Sequence, residues 1–196
     1  MKKFLSLPQE KQDRIVTAAM NLFGEAGYKK AYISEIAAAA GISKALIFHY
    51  FGSKKGLYSY LVYYTGKIIM TEAQHDRDTA GFGFYERVLI TIRFRLSLKK
   101  RYPAMNAFIE SVFNEDSDEV ISDIERLLAI AKDMHAGICL AAGEEGIFKA
   151  GINPEQVIAV MSKFAEGVVH TFDGNGDIEK TIFETEKCIN MLKSVL

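Results

Sequence analysis

Lys44, Ala45, Phe48, His49 and Tyr50 lie in one short apolar-rich stretch, Lys44-Ala45-Leu46-Ile47-Phe48-His49-Tyr50-Phe51. On a helix they present a cation, a small residue, aromatics and hydrogen-bonding tips, groups that suit the major groove of DNA. A lysine ammonium at position 44 reaches guanine O6 and N7, and Leu46 or Phe48 can touch a thymine methyl. Phe48, His49 and Tyr50 are consecutive, so a helix cannot turn all three inward.

The neighbouring elements are legible around this stretch. Ile33 to Ala40 reads as a compact alanine-rich helix, and Gly41 supplies the positive φ that ends it. Ser43 is a good N-cap for the next short helix. Two helices joined by so short a glycine-containing turn form a helix-turn-helix. Ala37 permits a close crossing, and Ile36, Ile42 and Ile47 fall where the pair needs its inner core. Upstream, a helix is expected from near Pro8, with Ser6 and Gln9 as a capping box and Ile15, Ala18, Ala19, Leu22 and Phe23 on one face, ending at Gly27. Downstream, Ser53 caps a longer helix from Lys54 to about His75 whose Leu57, Leu61, Tyr64 and Ile68 keep helical spacing. This helix links head to body, and Gly66 permits a bend in it.

Gly41-Ile42-Ser43-Lys44, Ile47-Phe48-His49-Tyr50-Phe51, Ser53-Lys54-Lys55 and Leu57-Tyr58 resemble the DNA-binding signature of TetR-family regulators. Ala18-Ala19-Met20-Asn21-Leu22-Phe23, Gly27-Tyr28 and Ile36-Ala37 extend the likeness over the first third of the chain. The resemblance implies that His49, Tyr50 and Lys54 hold phosphates while Lys44, Ala45, Leu46 and Phe48 face base edges. It also places a small hydroxyl residue where Ala31 and Tyr32 stand here, a cap and phosphate contact left to Ser34 or the Tyr32 hydroxyl. Phe48 stands where the family often has tyrosine, which removes one hydroxyl.

The chain has 196 residues, three prolines and recurring apolar pairs at three- and four-residue spacing, the pattern of an all-α protein of about nine helices. Its net charge of −1 singles out no polyanion partner, but residues 1–58 hold nine Lys/Arg against four Asp/Glu, a basic head on an acidic remainder. Cys139 and Cys188 fall in helical patterns and imply no disulfide framework. No apolar run reaches the length of a signal peptide core or a membrane span, so a cytoplasmic protein is expected. The expected division is a helix-turn-helix DNA-binding domain at 1–53 and a helical effector-binding and dimerisation domain at 54–196.

In the body, Gly81-Phe82-Gly83 marks a break before a helix to about Tyr102, and Pro103 opens a short one. Ser117 is expected to cap a long helix carrying Ile124, Leu128, His135 and Ala142. Asn153-Pro154 starts another. That helix and the last one, from Asp177, carry apolar residues on more than one face, which a symmetric partner can cover in a four-helix bundle. Val157, Met161, Ala165, Val168, Ile182, Ile189 and Leu192 are the expected dimer contacts, and the resemblance implies the same pairing. It also implies an effector pocket, for which Tyr60, Tyr64, Phe94, Phe108, Phe113, Met134, His135 and Phe164 are apolar or aromatic lining candidates.

His135 and Cys139 share a helix face, but zinc usually takes three or four ligands and no second pair is visible. Asp173-Gly174-Asn175-Gly176-Asp177 partly mimics a calcium loop, yet Ile178 stands where that loop needs glycine, so a glycine-rich turn is the better reading. No nucleophile motif accompanies any histidine and no phosphate-binding glycine loop exists, so neither catalysis nor a cofactor or metal is expected. The reading is a homodimeric TetR-like repressor that leaves a near-palindromic double-stranded operator when a small apolar or aromatic effector binds. The alternatives are a DNA-binding dimer without an effector and a metal-responsive regulator.

Overall fold

The computed structural model describes residues 2–75, 81–142 and 147–195, with side chains except those of 74, 75, 126 and 133–142. It is all-helical among these residues: α1 (Lys2–Leu5), α2 (Gln9–Lys30), α3 (Ile33–Ala39), α4 (Lys44–Phe51), α5 (Lys54–His75), α6 (Phe84–Arg101), α7 (Pro103–Val112), α8 (Ile121–Ala142), α9 (Pro154–Thr171) and α10 (Ile178–Val195). The short α1 is the element the apolar spacing did not announce. None of the described helices is long and apolar enough to cross a membrane.

The residues cluster into two units, the first comprising Met1–Met70 with Tyr102–Ile130, the second Thr71–Arg101 with Ala131–Leu196. In the first unit α2 packs along α7 so closely that a Cβ at Gly24 would meet the Ala107 carbonyl carbon at 2.9 Å. Tyr58 of α5 is the centre of its aromatic core, with ring centroids 5.1 Å from Phe23, 5.1 Å from Tyr28 and 5.2 Å from Phe108. Burying rings of this size stabilises the unit by on the order of a few kcal/mol each.

The second unit packs one apolar face each of α6, α9 and α10 together. Phe84, Tyr85, Val88, Ile92 and Leu96 of α6 meet Val157, Met161, Ala165 and Val169 of α9 and Ile182 and Ile189 of α10. The Lys99 ammonium closes the end of α9 by donating to the Val169 carbonyl at 3.0 Å and the His170 carbonyl at 3.3 Å.

Several helix ends differ from expectation. Ser6 forms no capping box: its hydroxyl donates to the Lys3 carbonyl at 2.9 Å, because Ser6 belongs to the turn that closes α1, and α2 begins behind Pro8 with no side-chain cap. Ser117 is buried and does not cap α8, which starts four positions later at Ile121; its N–H donates to Glu115 Oε1. Asn153 does cap α9, its Oδ1 accepting from the Glu155 N–H at 2.9 Å. Asp173 Oδ1 accepts from the Asn175 and Gly176 N–H groups at 2.8 and 2.7 Å, which makes that loop an Asx turn.

Candidate nucleic-acid interface

The turn before α4 is built by backbone bonds. Gly41, at φ +65°, donates to the Ala38 carbonyl, and Ile42 donates to the Ala37 carbonyl, each at 3.0 Å. Ser43 then caps α4, its hydroxyl oxygen accepting from the Leu46 N–H at 3.3 Å. Gly52, at φ +78°, ends α4 by donating to the Phe48 carbonyl at 2.8 Å. Ser53 Oγ accepts from the Gly56 N–H at 2.9 Å and starts α5. A Cβ at Gly56 would lie 2.1 Å from the Phe51 carbonyl oxygen, so the first turn of α5 is pressed against the last residue of α4.

Between those two caps α4 sorts its residues cleanly. Ile47 and Phe51, four apart, are buried, as are Ile36 and Ala37 of α3, and Phe51 packs on Phe4 and Tyr60. Lys44, Ala45, Leu46, Phe48 and His49 are exposed and Tyr50 is half-buried. Two bulky apolar side chains on this open face, Leu46 at 37% and Phe48 at 39% exposure, are costly in water and suited to thymine methyls. The Lys44 ammonium lies 5.9 Å from the Phe48 ring centroid, and the His49 and Tyr50 rings meet edge-on at 5.7 Å.

Lys54, expected at a phosphate, makes its contacts here within the chain. Its ammonium donates to the Lys29 carbonyl at 3.1 Å and lies 4.8 Å from the Tyr28 ring centroid, which ties the start of α5 to the end of α2. Burial pulls its pKa below the ordinary lysine value, against the attraction of Glu119 and Glu115. Ser34 is exposed in the first turn of α3, whose N-cap residue, Tyr32, makes no side-chain cap bond. The gap at Ala31 and Tyr32 is therefore real: Ala31 is fully buried and Tyr32 points to solvent.

Sequence reasoning missed two supports of this interface. Phe4 of α1 is fully buried, its ring centroid 4.8 Å from Phe51 and 6.1 Å from Tyr50 at the end of α4. The signal was a lone aromatic between two lysines and a proline. Glu115, in the loop after α7, accepts from the Tyr28 N–H at 2.7 Å. No spacing rule reaches a contact that distant in the chain.

The pocket and dimer candidates scatter. Tyr60 packs on Phe4 and Phe51 at 5.2 and 5.5 Å and stacks on Tyr64, so it serves the wall of the head. Phe108 fills the core beside Tyr58, and Phe94 is buried on α6. Phe113 is 57% exposed and lines no interior. Phe164 packs on the core of the second unit, while the side chains of Met134 and His135, with Cys139, lie outside the described residues. Val157, Met161, Ala165, Ile182 and Ile189 are buried within their own chain, and Val168 and Leu192 pack against them, because the apolar face of α6 needs that cover. The open apolar residues of these helices are Val160 on α9 and Phe183, Met191 and Val195 on α10.

A sequence profile of the bacterial regulatory proteins of the tetR family matches residues 15–61, from α2 into α5. The chain is 26% identical over 120 residues to the biofilm operon icaADBC HTH-type negative transcriptional regulator IcaR of Staphylococcus aureus, a match spanning 59% of this chain and 62% of IcaR, under two thirds of that relative's length. It is 22% identical over 187 residues, 89% of each chain, to the HTH-type transcriptional regulator TtgR of Pseudomonas putida. Its fold is similar to that of FadR from Bacillus subtilis in complex with stearoyl-CoA, at a TM-score of 0.65 and 19% identity over 93% of this chain and 98% of FadR. The profile lies on the helix-turn-helix just described, so residues 15–61 form a DNA-binding domain of the tetR family of bacterial regulatory proteins.

Proposed function

We propose that two copies of this chain form a repressor that reads a near-palindromic operator and leaves it when a small molecule binds. The observation that carries this reading is the open face of α4, with Lys44, Leu46, Phe48 and His49 outward while Ile47 and Phe51 lock the helix from behind. Two such helices, one per copy, enter major grooves about one DNA turn apart. Residues 1–53 act as the DNA-reading head and residues 54–196 as the effector and dimer body. Ser43 and Ser34 sit at helix starts where a backbone phosphate is favoured. Repression is the sense indicated for IcaR by its description as a negative regulator.

The dimer surface assigned in this reading is the stripe Phe183, Lys187, Met191 and Val195 of α10 with Val160 of α9. The α10 residues recur every four positions, and the three apolar ones are more than half exposed. A twofold axis covers such a stripe by placing it on its own copy. Two hydroxyls inside the first unit, those of Tyr58 and Thr65, would suit an effector that brings a polar group to them. They are buried without a protein hydrogen-bond partner and stand seven residues apart on one face of α5. FadR, of similar fold, carries stearoyl-CoA. An effector shifts operator affinity only by preferring the arrangement that does not bind DNA.

The test is selection of duplexes from a random pool by the wild-type chain. A palindromic consensus, with Lys44→Ala losing preference at one position per half-site, is the expected result. An enriched pool without any consensus would overturn the reading.

A further inference from the structure

α1 lies outside residues 15–61 that carry the family profile, and it has only four residues, too few to be stable alone. It is nevertheless a built segment. Phe4 is fully buried between Phe51, Tyr60 and Tyr50, at 4.8, 5.2 and 6.1 Å. Its carbonyls are taken: Ser6 N–H donates to Lys2 at 3.2 Å, Ser6 Oγ to Lys3 at 2.9 Å and Leu7 N–H to Phe4 at 3.0 Å. Gln12 Nε2 reaches from α2 to the Leu5 and Leu7 carbonyls at 3.3 and 2.8 Å. Lys2 and Lys3 are exposed, and among the described residues neither ammonium has an acidic partner.

This arrangement places α1, with Lys2 and Lys3 exposed on it, beside the last turn of α4, where Phe4 meets Tyr50 and Phe51. Neighbouring Cα atoms are about 3.8 Å apart, so anchoring Phe4 fixes Lys3 to within a side chain's reach of that turn. Crowding cations onto an already basic head is unfavourable without an anion to receive them. A flexible ammonium is a point charge, which suits a phosphate better than a base edge. We propose that α1 is a basic arm pinned by Phe4, and that Lys2 and Lys3 contact DNA backbone phosphates flanking those held by α4. This rests on the operator-binding reading above and adds a footprint which that reading does not need.

The test measures affinity against salt for the full-length wild type, the double variant Lys2→Gln/Lys3→Gln and Phe4→Ala, all on one duplex selected by the wild type. Each phosphate that a lysine no longer neutralises lowers the slope of log K against log salt by about 0.9, so two per subunit of a dimer lower it by about 3.6. The expected result is a markedly flatter slope for the double variant with its base preferences unchanged, and a smaller flattening for Phe4→Ala, which keeps both lysines but frees them. Wild-type binding with an unchanged slope in the double variant overturns this proposal alone. A wild type that binds DNA without any salt dependence overturns the operator-binding reading and this one together.

Discussion

Glu115 holds the backbone of Tyr28 across 87 residues of chain: its Oε2 accepts from the Tyr28 N–H at 2.7 Å while Oε1 accepts from the Ser117 N–H at 3.1 Å. Gly27 makes room for this grip at φ +71°, with a Cβ there lying 3.4 Å from the same Oε2. Lys29 and Asp116 pair alongside at 2.8 Å, and Ser59 of α5 donates to Asp123 at 2.7 Å. The loop between α7 and α8 therefore grips the kinked end of α2, immediately before the helix-turn-helix. Removing the carboxylate in Glu115→Ala leaves two partly buried N–H groups without their acceptor, a cost of about 1–3 kcal/mol. Glu115→Gln keeps an amide oxygen and costs less. Urea unfolding checks this, and an alanine variant as stable as wild type would exclude the grip.

A second prediction concerns the seam between α4 and α5. Gly→Ala inside a helix usually stabilises by up to about 1 kcal/mol. At Gly56 the sign reverses, because the added Cβ would stand 2.1 Å from the Phe51 carbonyl oxygen and backbone cannot step aside as a flexible side chain does. Gly56→Ala should lower the thermal midpoint and reduce operator affinity at least tenfold by tilting α4. Gly167→Ala on α9, where a Cβ meets nothing within 4 Å, is the control that should raise or hold the midpoint.

These two cases show where sequence pattern stops. The helix-turn-helix was legible because its determinants are local: Gly41 and Gly52 turn the chain, Ser43 caps, and Ile47 and Phe51 share a face. The grip of Glu115 and the seat of Phe4 depend on tertiary neighbours that no helical period encodes. Lys54 illustrates the limit from the other side, since its position matched a phosphate contact while its ammonium is turned onto the Lys29 carbonyl and the Tyr28 ring. The apolar residues of α9 and α10 do form two faces, but periodicity cannot say which face meets α6. Ile182 and Ile189 went inward, and Phe183 and Met191 were left out.

A third prediction follows from the tyrosines of the first unit. Burial, with Glu119 adding a hydrogen bond and negative charge, raises the Tyr28 pKa to about 12, and burial first, then the Tyr64 neighbour, raises Tyr60 to about 12. Burial likewise raises Tyr58. In the unfolded chain these phenols ionise near their ordinary value of about 10. Below that pH both states keep the protons and the stabilisation is fully present. Between about 10 and 12 the unfolded state loses protons first, so stability falls as pH rises. Tyr28→Phe should make that alkaline fall shallower without moving the neutral midpoint by the same amount. An absorbance titration in which every tyrosine ionises near pH 10 while the chain stays folded would refute it.

The last prediction separates the two faces of α10. Ile189 is 1% exposed in the core shared with α6 and α9, so Ile189→Asp buries an unpaired charge and should unfold the second unit or cost several kcal/mol. Phe183 is 56% exposed and Met191 65%, with the Lys187 ammonium 4.2 Å from the Phe183 ring centroid. Phe183→Glu or Met191→Glu touches no core contact of its own chain, so each variant should keep its helix content and thermal transition. If this stripe is where two copies meet, both variants become monomers by light scattering, because a carboxylate on a twofold axis faces its own copy. Operator affinity should fall with dimerisation, since one head alone holds half the phosphates and reads half the site. A folded Phe183→Glu/Met191→Glu chain that remains dimeric at low micromolar concentration would move the interface to another surface and leave the stripe without this role.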